Sequence, residues 1–202
     1  MIRALVVDCG RPLLKDAYTS SVDVLIDVRK AEEVYELDSY ELVVLPSTLT
    51  GNQSKILEKK IVEYLSKNGV VFCFSSHCID CLPSNHWDRS VDIPSIHYAL
   101  YDDTYNFFKD VDVSILNRVS DHGWKSEGFI KSENEVQVVV CSYEELPVMI
   151  VDEISTSGTM VITAGLGILE RAVEDVSDQL LRQELHKLWQ NMINLVLQRN
   201  LS

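Results

Sequence analysis

Long apolar runs are missing from this sequence. The run that follows Arg3 in MIRALVVDCGRPLL breaks at Asp8, too short for a secretory-signal core and far short of the roughly 20 residues that span a bilayer. A basic patch is missing too. Lys and Arg number 18 against 31 Asp and Glu, a formal net charge of -13, so nucleic-acid backbones and anionic lipid surfaces are repelled rather than recruited. Cysteine is sparse and irregular, with five residues at Cys9, Cys73, Cys78, Cys81 and Cys141. That spacing argues against a disulfide framework and leaves buried thiols, metal ligation or redox chemistry. No repeat, low-complexity tract or Pro/Gly/Ser-rich linker divides the 202 residues. One globular domain over 1–202 is expected, cytoplasmic, with no nucleic-acid or membrane partner.

Apolar periodicity supplies the fold. IRALVVD (Ile2 to Asp8), VDVLIDV (Val22 to Val28), YELVVLPS (Tyr40 to Ser47) and VVFCFS (Val70 to Ser75) read as strands. Between the last two, SKILEKKIVEYLSKNG reads as an amphipathic helix with Ile56, Leu57, Lys60, Ile61, Tyr64 and Leu65 on one face and a stop at Asn68-Gly69. Near-continuous apolar strands interleaved with such a helix indicate a parallel sheet covered on both faces. Further on, Val111 to Ser120, Glu135 to Tyr143, Leu146 to Ile154 and Gly158 to Leu166 succeed one another with short turns and predict a hairpin-rich extension. A closing helix follows, with Ser177 as N-cap and Leu180, Leu181, Leu185, Leu188, Met192, Leu195 and Val196 as its stripe. The expectation is an α/β, flavodoxin-like three-layer sandwich, mostly parallel, with an antiparallel C-terminal extension.

In open α/β sheets ligands sit beyond the carboxyl ends of the strands. The long aperiodic segment Asp80 to Asp110 falls there, directly after the densest chemistry in the chain, VFCFSSHCIDCLPSNHWD (Val71 to Asp88). Cys78 and Cys81 form a C-x-x-C that can aim two thiolates at one point, and His77 and His86 could complete a tetrahedral zinc site with them, Asp80, Asp88 or His97 serving as replacements, so a metal at Cys78, Cys81 and His86 is one reading. A redox pair and ordinary thiols are the others, with Cys73 buried in the strand and Cys78 and Cys81 accessible beyond it. Ser75 and Ser76 either cap the following turn or supply a nucleophile. Asp8, ending the first strand before Gly10, is placed to line a pocket, and DHGWKSEG could bring His122, Trp124 and Glu127 to the same rim. LYDDTYNFF, with Tyr101, Tyr105, Phe107 and Phe108, suits sugar stacking, a protein interface or a core cluster.

The run YELVVLPSTLTGNQSKILEKKIVEYLSKNGVVFCFSS, with the late GTMVITAGLGI and its terminal helix, resembles the class I glutamine amidotransferase-like superfamily. Within it the sequence is similar to the non-amidotransferase branch of trehalose-utilisation-type proteins and the central domain of some beta-galactosidases. Active members hold a nucleophilic cysteine in a Gly-x-Cys-x-Gly turn after the fourth strand. Counting from Gly69, that resemblance places Ser76 at the turn, with Ser75 and His77 beside it, Cys73 inside the strand, and Phe74 and Cys78 where the glycines belong. It also implies a His-x-Glu pair after the last strand, where GLGILERAVED has Glu170 and Glu174 but no histidine. The implied function is a non-catalytic binding or assembly module that uses Asp8, Ser75, His86, Trp87 and His97 to hold a small polar ligand, a protein partner or a second copy. The competing expectation is a hydrolase of small polar or carbohydrate-like substrates using Ser76 with His77, or a metal at Cys78, Cys81 and His86.

Overall fold

Four apolar segments in the first part of the chain become strands β1 (Ile2–Asp8), β2 (Val24–Lys30), β3 (Leu42–Leu45) and β4 (Val70–Cys73). Every residue of β3 and β4 is buried, which is why they read as unbroken apolar runs and not as alternation. Later come β5 (Asn85–Asp88), β6 (Tyr98–Leu100), β7 (Phe129–Ser132), β8 (Gln137–Ser142), β9 (Pro147–Asp152) and β10 (Thr159–Thr163). The computed structural model describes residues 1–89, 97–118, 126, 128–174 and 177–200; His122, Trp124 and Glu127 lie outside them. Eight strands form one sheet in the order β2-β1-β3-β4-β10-β9-β8-β6, and β5 pairs with β7 in a second, two-stranded sheet. β10 runs parallel to β4, and from it β9, β8 and β6 continue antiparallel. The mostly parallel α/β sheet and its antiparallel end are those expected.

Helices cover both faces. Side chains alternate along a strand, so Phe72 and Phe74 of the β4 run point one way, to Trp189 of α5 (Gln179–Arg199), at ring distances of 5.9 and 6.5 Å. The neighbouring Cys73 points the other way, toward the layer of α2 (Gly51–Ser66), where the Cys81 thiol donates to Ser54 at 3.3 Å. Short helices α1 (Leu13–Ala17) and α4 (Leu169–Glu174) join α5 on its side, and Tyr18 after α1 meets Trp189 edge-on at 5.6 Å.

The structure revises several local expectations. Helix α2 begins at Gly51, ahead of Ser54, because Thr50 and Gln53 close a capping box in which Gln53 Oε1 accepts from the Thr50 N–H at 3.1 Å. Ile56 and Leu180 are 46% and 43% exposed; each is one position, about 100° of helix, away from the buried Leu57 or Leu181. The α5 cap is Asp178, not Ser177, and its carboxylate accepts from the Leu181 N–H at 2.9 Å. Val111 to Ser120 supplies a one-turn helix, α3 (Ile115–Arg118), where a strand was expected. Its Asn117 serves β6 instead, exchanging hydrogen bonds with the Tyr98 backbone at 2.8 and 3.2 Å. The segment expected to be irregular, Asp80 to Asp110, carries β5 and β6, strands too short to show a period.

Candidate functional site

Parallel strands β1, β3, β4 and β10 end at one edge of the sheet, and the loops that leave them enclose a cavity of about 360 Å3. Arg11 comes from the loop after β1; Ser47, Thr48 and Thr50 follow β3; His77 follows β4; Gly165, Gly167, Glu170, Arg171 and Glu174 follow β10. A wider groove of about 650 Å3 lies along α5, but only residues 179–190 of that one helix line it. Convergence of four loops at a strand-order crossover makes the smaller cavity the candidate site.

The loop after β10 is shaped for close approach. The Thr163 hydroxyl bonds both the N–H and the carbonyl of Leu166, and Gly165 turns the chain at φ +85°. A Cβ at Gly167 would come within 2.7 Å of Ser47 Oγ and 3.1 Å of Glu170 Oε2, so only glycine lets this loop rest on the end of β3. The chain then enters α4 and delivers Glu170, 2% exposed, into the floor. Its Oε1 accepts from the Ser47 N–H at 3.0 Å and more weakly from the Ser47 hydroxyl at 3.4 Å; its Oε2 accepts from the Tyr18 hydroxyl at 2.9 Å. Burial pushes this carboxyl above its usual range, offset only in part by those donors. Burial, reinforced by the facing Glu170 charge, likewise drives the Tyr18 phenol well up. Beside them the Cys9 thiol lies 2.7 Å from Thr48 Oγ1.

Among the candidate catalytic, binding and metal residues read from sequence, His77 lines the cavity, as do Glu170 and Glu174, which were noted only as standing where the His-x-Glu pair was implied. Trp87 packs against His77 edge-on at 5.0 Å and carries Arg89 over its other contact surface, the guanidinium carbon 3.6 Å from the ring centroid. Ser75 and Ser76 are buried behind the wall. Ser75 begins the 3₁₀ turn Ser76–Cys81 without capping it, because its hydroxyl donates to the Leu49 carbonyl at 2.8 Å. Asp8 shapes its own turn, accepting from the Gly10 N–H at 2.7 Å. His86 stands on β5 facing Glu133 at 3.3 Å and Asp80 at 4.0 Å, and the exposed His97 precedes β6 at the far antiparallel edge.

The thiols depart from expectation. Cys73 is buried as expected, but Cys78 is fully buried and Cys81 only 9% exposed, because the 3₁₀ turn folds them back against α2. Burial, together with donation to Cys78, holds the Cys73 thiol well above its ordinary range, whereas that same hydrogen bond lowers Cys78 against the effect of burial. Among the described residues no three His, Cys, Asp or Glu side chains stand together as a metal site; Cys78 and Cys81 face inward while His86 is on the outer sheet. These residues do not fit a zinc ion. Sequence reading passed over Arg11, Ser47, Thr48 and Thr50, since single polar residues in short loops carry no spacing of their own.

The strand order and the layers define a flavodoxin-like α/β domain, a fold similar to that of solved structures that include a glutamine amidotransferase. No protein-family model and no curated protein matches the sequence. Among solved structures, PurLQS from Thermotoga maritima is similar at 15% identity and a TM-score of 0.56, over 97% of this chain and 100% of that one. A cytoplasmic protein from Salmonella typhimurium LT2 is similar at 11% identity and a TM-score of 0.60, over 96% and 99% of the two chains. A glutamine amidotransferase from Thermotoga maritima aligns at 15% identity and a TM-score of 0.50, over 97% and 94%. At such identities the likeness is one of fold. Among the described residues no helix is long and apolar enough to cross a membrane.

Proposed function

We propose that this chain is a non-catalytic binding module on the amidotransferase-like fold, of the non-amidotransferase branch, working in the cytoplasm. Its carboxyl-edge cavity takes a small polar ligand, and the adjoining surface of His77, His86 and Trp87 extends that contact or meets a protein partner. The observation that carries this reading is the engagement of Glu170. A carboxylate that orients a catalytic histidine accepts from its ring N–H, and here Glu170 accepts from Tyr18 and Ser47 with no histidine bonded to it among the described residues. The Ser47 N–H, a donor at the end of β3 that could otherwise serve an oxyanion, is already spent on Glu170. Ser75 has given its proton to Leu49, and His77 turns its Nδ1 to Arg89 at 3.5 Å. A hydrolase using Ser76 is the second reading, favoured by the adjacent His77 on the cavity wall.

A glutamine amidotransferase shares the fold, so glutamine is the substrate to try first. Purified protein incubated with glutamine is expected to release no ammonia above the buffer rate. Steady release that disappears in Ser76→Ala or Cys73→Ala would overturn the proposal.

A further inference from the structure

The cavity's polarity runs against that of the chain. In a protein of net charge -13, the wall after β1 presents Arg11, whose guanidinium makes no ion pair or hydrogen bond among the described residues. Arg171, from α4, also lines the cavity, 3.5 Å from Glu174. Glu174 therefore has a cation at hand. Glu170 is turned into the floor, with both oxygens on protein donors. Arg11 is thus a cation of the cavity wall with no ion-pair partner among the described residues, in a concave site where fields are concentrated and screening by water is reduced.

The hydroxyls that follow β3 offer a ligand the complementary chemistry. Thr50 donates its proton to Gln53 Oε1 at 3.0 Å and Ser47 its proton to Glu170 at 3.4 Å. What these two oxygens keep for a ligand is acceptor capacity, which matches ligand O–H groups and repels a bare anion. The volume, about 360 Å3, equals roughly a dozen water volumes, room for a small organic molecule.

From this charge and donor pattern we infer that the ligand is a small hydroxylated organic anion, a sugar acid, hydroxy acid or sugar phosphate. Its acidic group pairs with Arg11 and its hydroxyls donate to the Ser47 and Thr50 oxygens. The inference rests on the cavity being a binding site and adds the ligand's class. Carboxylate and phosphate share the recognition chemistry, since either accepts paired guanidinium N–H groups.

The test is an amide-resolved NMR titration of the whole chain with D-glucuronate, D-glycerate and D-glucose 6-phosphate, set against uncharged D-glucose and glycerol. The Ser47, Thr48, Gly165 and Gly167 amides are expected to shift with at least one of the acids or the phosphate, and glucose is expected to bind about tenfold more weakly or not at all. Arg11→Gln, an exposed change that leaves the fold intact, should weaken the anion by about tenfold or more. A preference for carboxylate or for phosphate identifies the source of the acid and supports the inference in either case. Equal binding of glucose and its phosphate, or anion binding unchanged in Arg11→Gln, overturns the inference while leaving the cavity as a binding site. No shift at these four amides with any of the five compounds overturns both.

Discussion

Replacing Glu170 with alanine removes the acceptor of three donors on two residues from different parts of the chain. Tyr18 is 2% exposed, so its hydroxyl would be stranded at a cost of about 1–3 kcal/mol. The Ser47 N–H borders the cavity and can recruit water, which reduces its share. Relief of a buried, poorly solvated carboxyl works in the opposite direction. The balance is a loss of about 2 kcal/mol, or about 4–8 °C in Tm for a chain of this size. Glutamine keeps both contacts: its Oε1 accepts from Ser47, and its amide N–H donates to the Tyr18 oxygen in a reversed bond that leaves only the phenol proton without an acceptor. Glu170→Gln should therefore melt well above Glu170→Ala.

The pH dependence separates the glutamine variant from the native protein. The Glu170 carboxyl titrates above its usual 4.5 when folded, so the folded state binds that proton more tightly than the unfolded state. Its contribution is fully present below the unfolded value and is lost as pH rises through the folded one. The glutamine variant has no such proton, so thermal melts from about pH 4 to about pH 8 should show it gaining on the native protein as pH rises. A Glu170→Ala Tm within about 1 °C of native, or a glutamine-to-native difference flat across that range, would refute the reasoning.

Two further outcomes follow from the same contacts. Gly167→Ala places a methyl 2.7 Å from Ser47 Oγ and 3.1 Å from Glu170 Oε2; denaturant unfolding should show a loss of about 1–3 kcal/mol, and an unchanged midpoint would mean the loop has room to move. Brief alkylation of the native protein, resolved by mass, should label the half-buried Cys9 first and leave the fully buried Cys78 untouched although its thiol is lowered, because access precedes reactivity. Cys78 labelling as fast as Cys9 would place the 3₁₀ turn wrongly.

The strands were legible wherever burial was complete, as in LVVL of β3 and VVFC of β4, because two covered faces leave no polar interruption. β5 and β6 were not, since strands of three or four residues cannot display a period. Helix α2 was recognised by its stripe but misplaced at its start, although Thr50-Gly51-Asn52-Gln53 carried a capping-box pattern. The site was legible as a location and less so as a residue set. His77 was found beside a crowded motif; Arg11 and Thr50 were not, because loops distant in sequence meet only once the sheet is built. Glu170 was noted for lacking a histidine partner, and its true partners, Tyr18 and Ser47, lie 152 and 123 positions away.

Binding without turnover is the central claim, and overnight proton NMR of the tightest-binding compound in the presence of the protein tests it most directly. The ligand's resonances should be broadened and shifted by exchange with the cavity yet recovered unchanged after the protein is removed. Product resonances that grow with protein concentration, and that fail to grow with Ser76→Ala or His77→Ala, would contradict it.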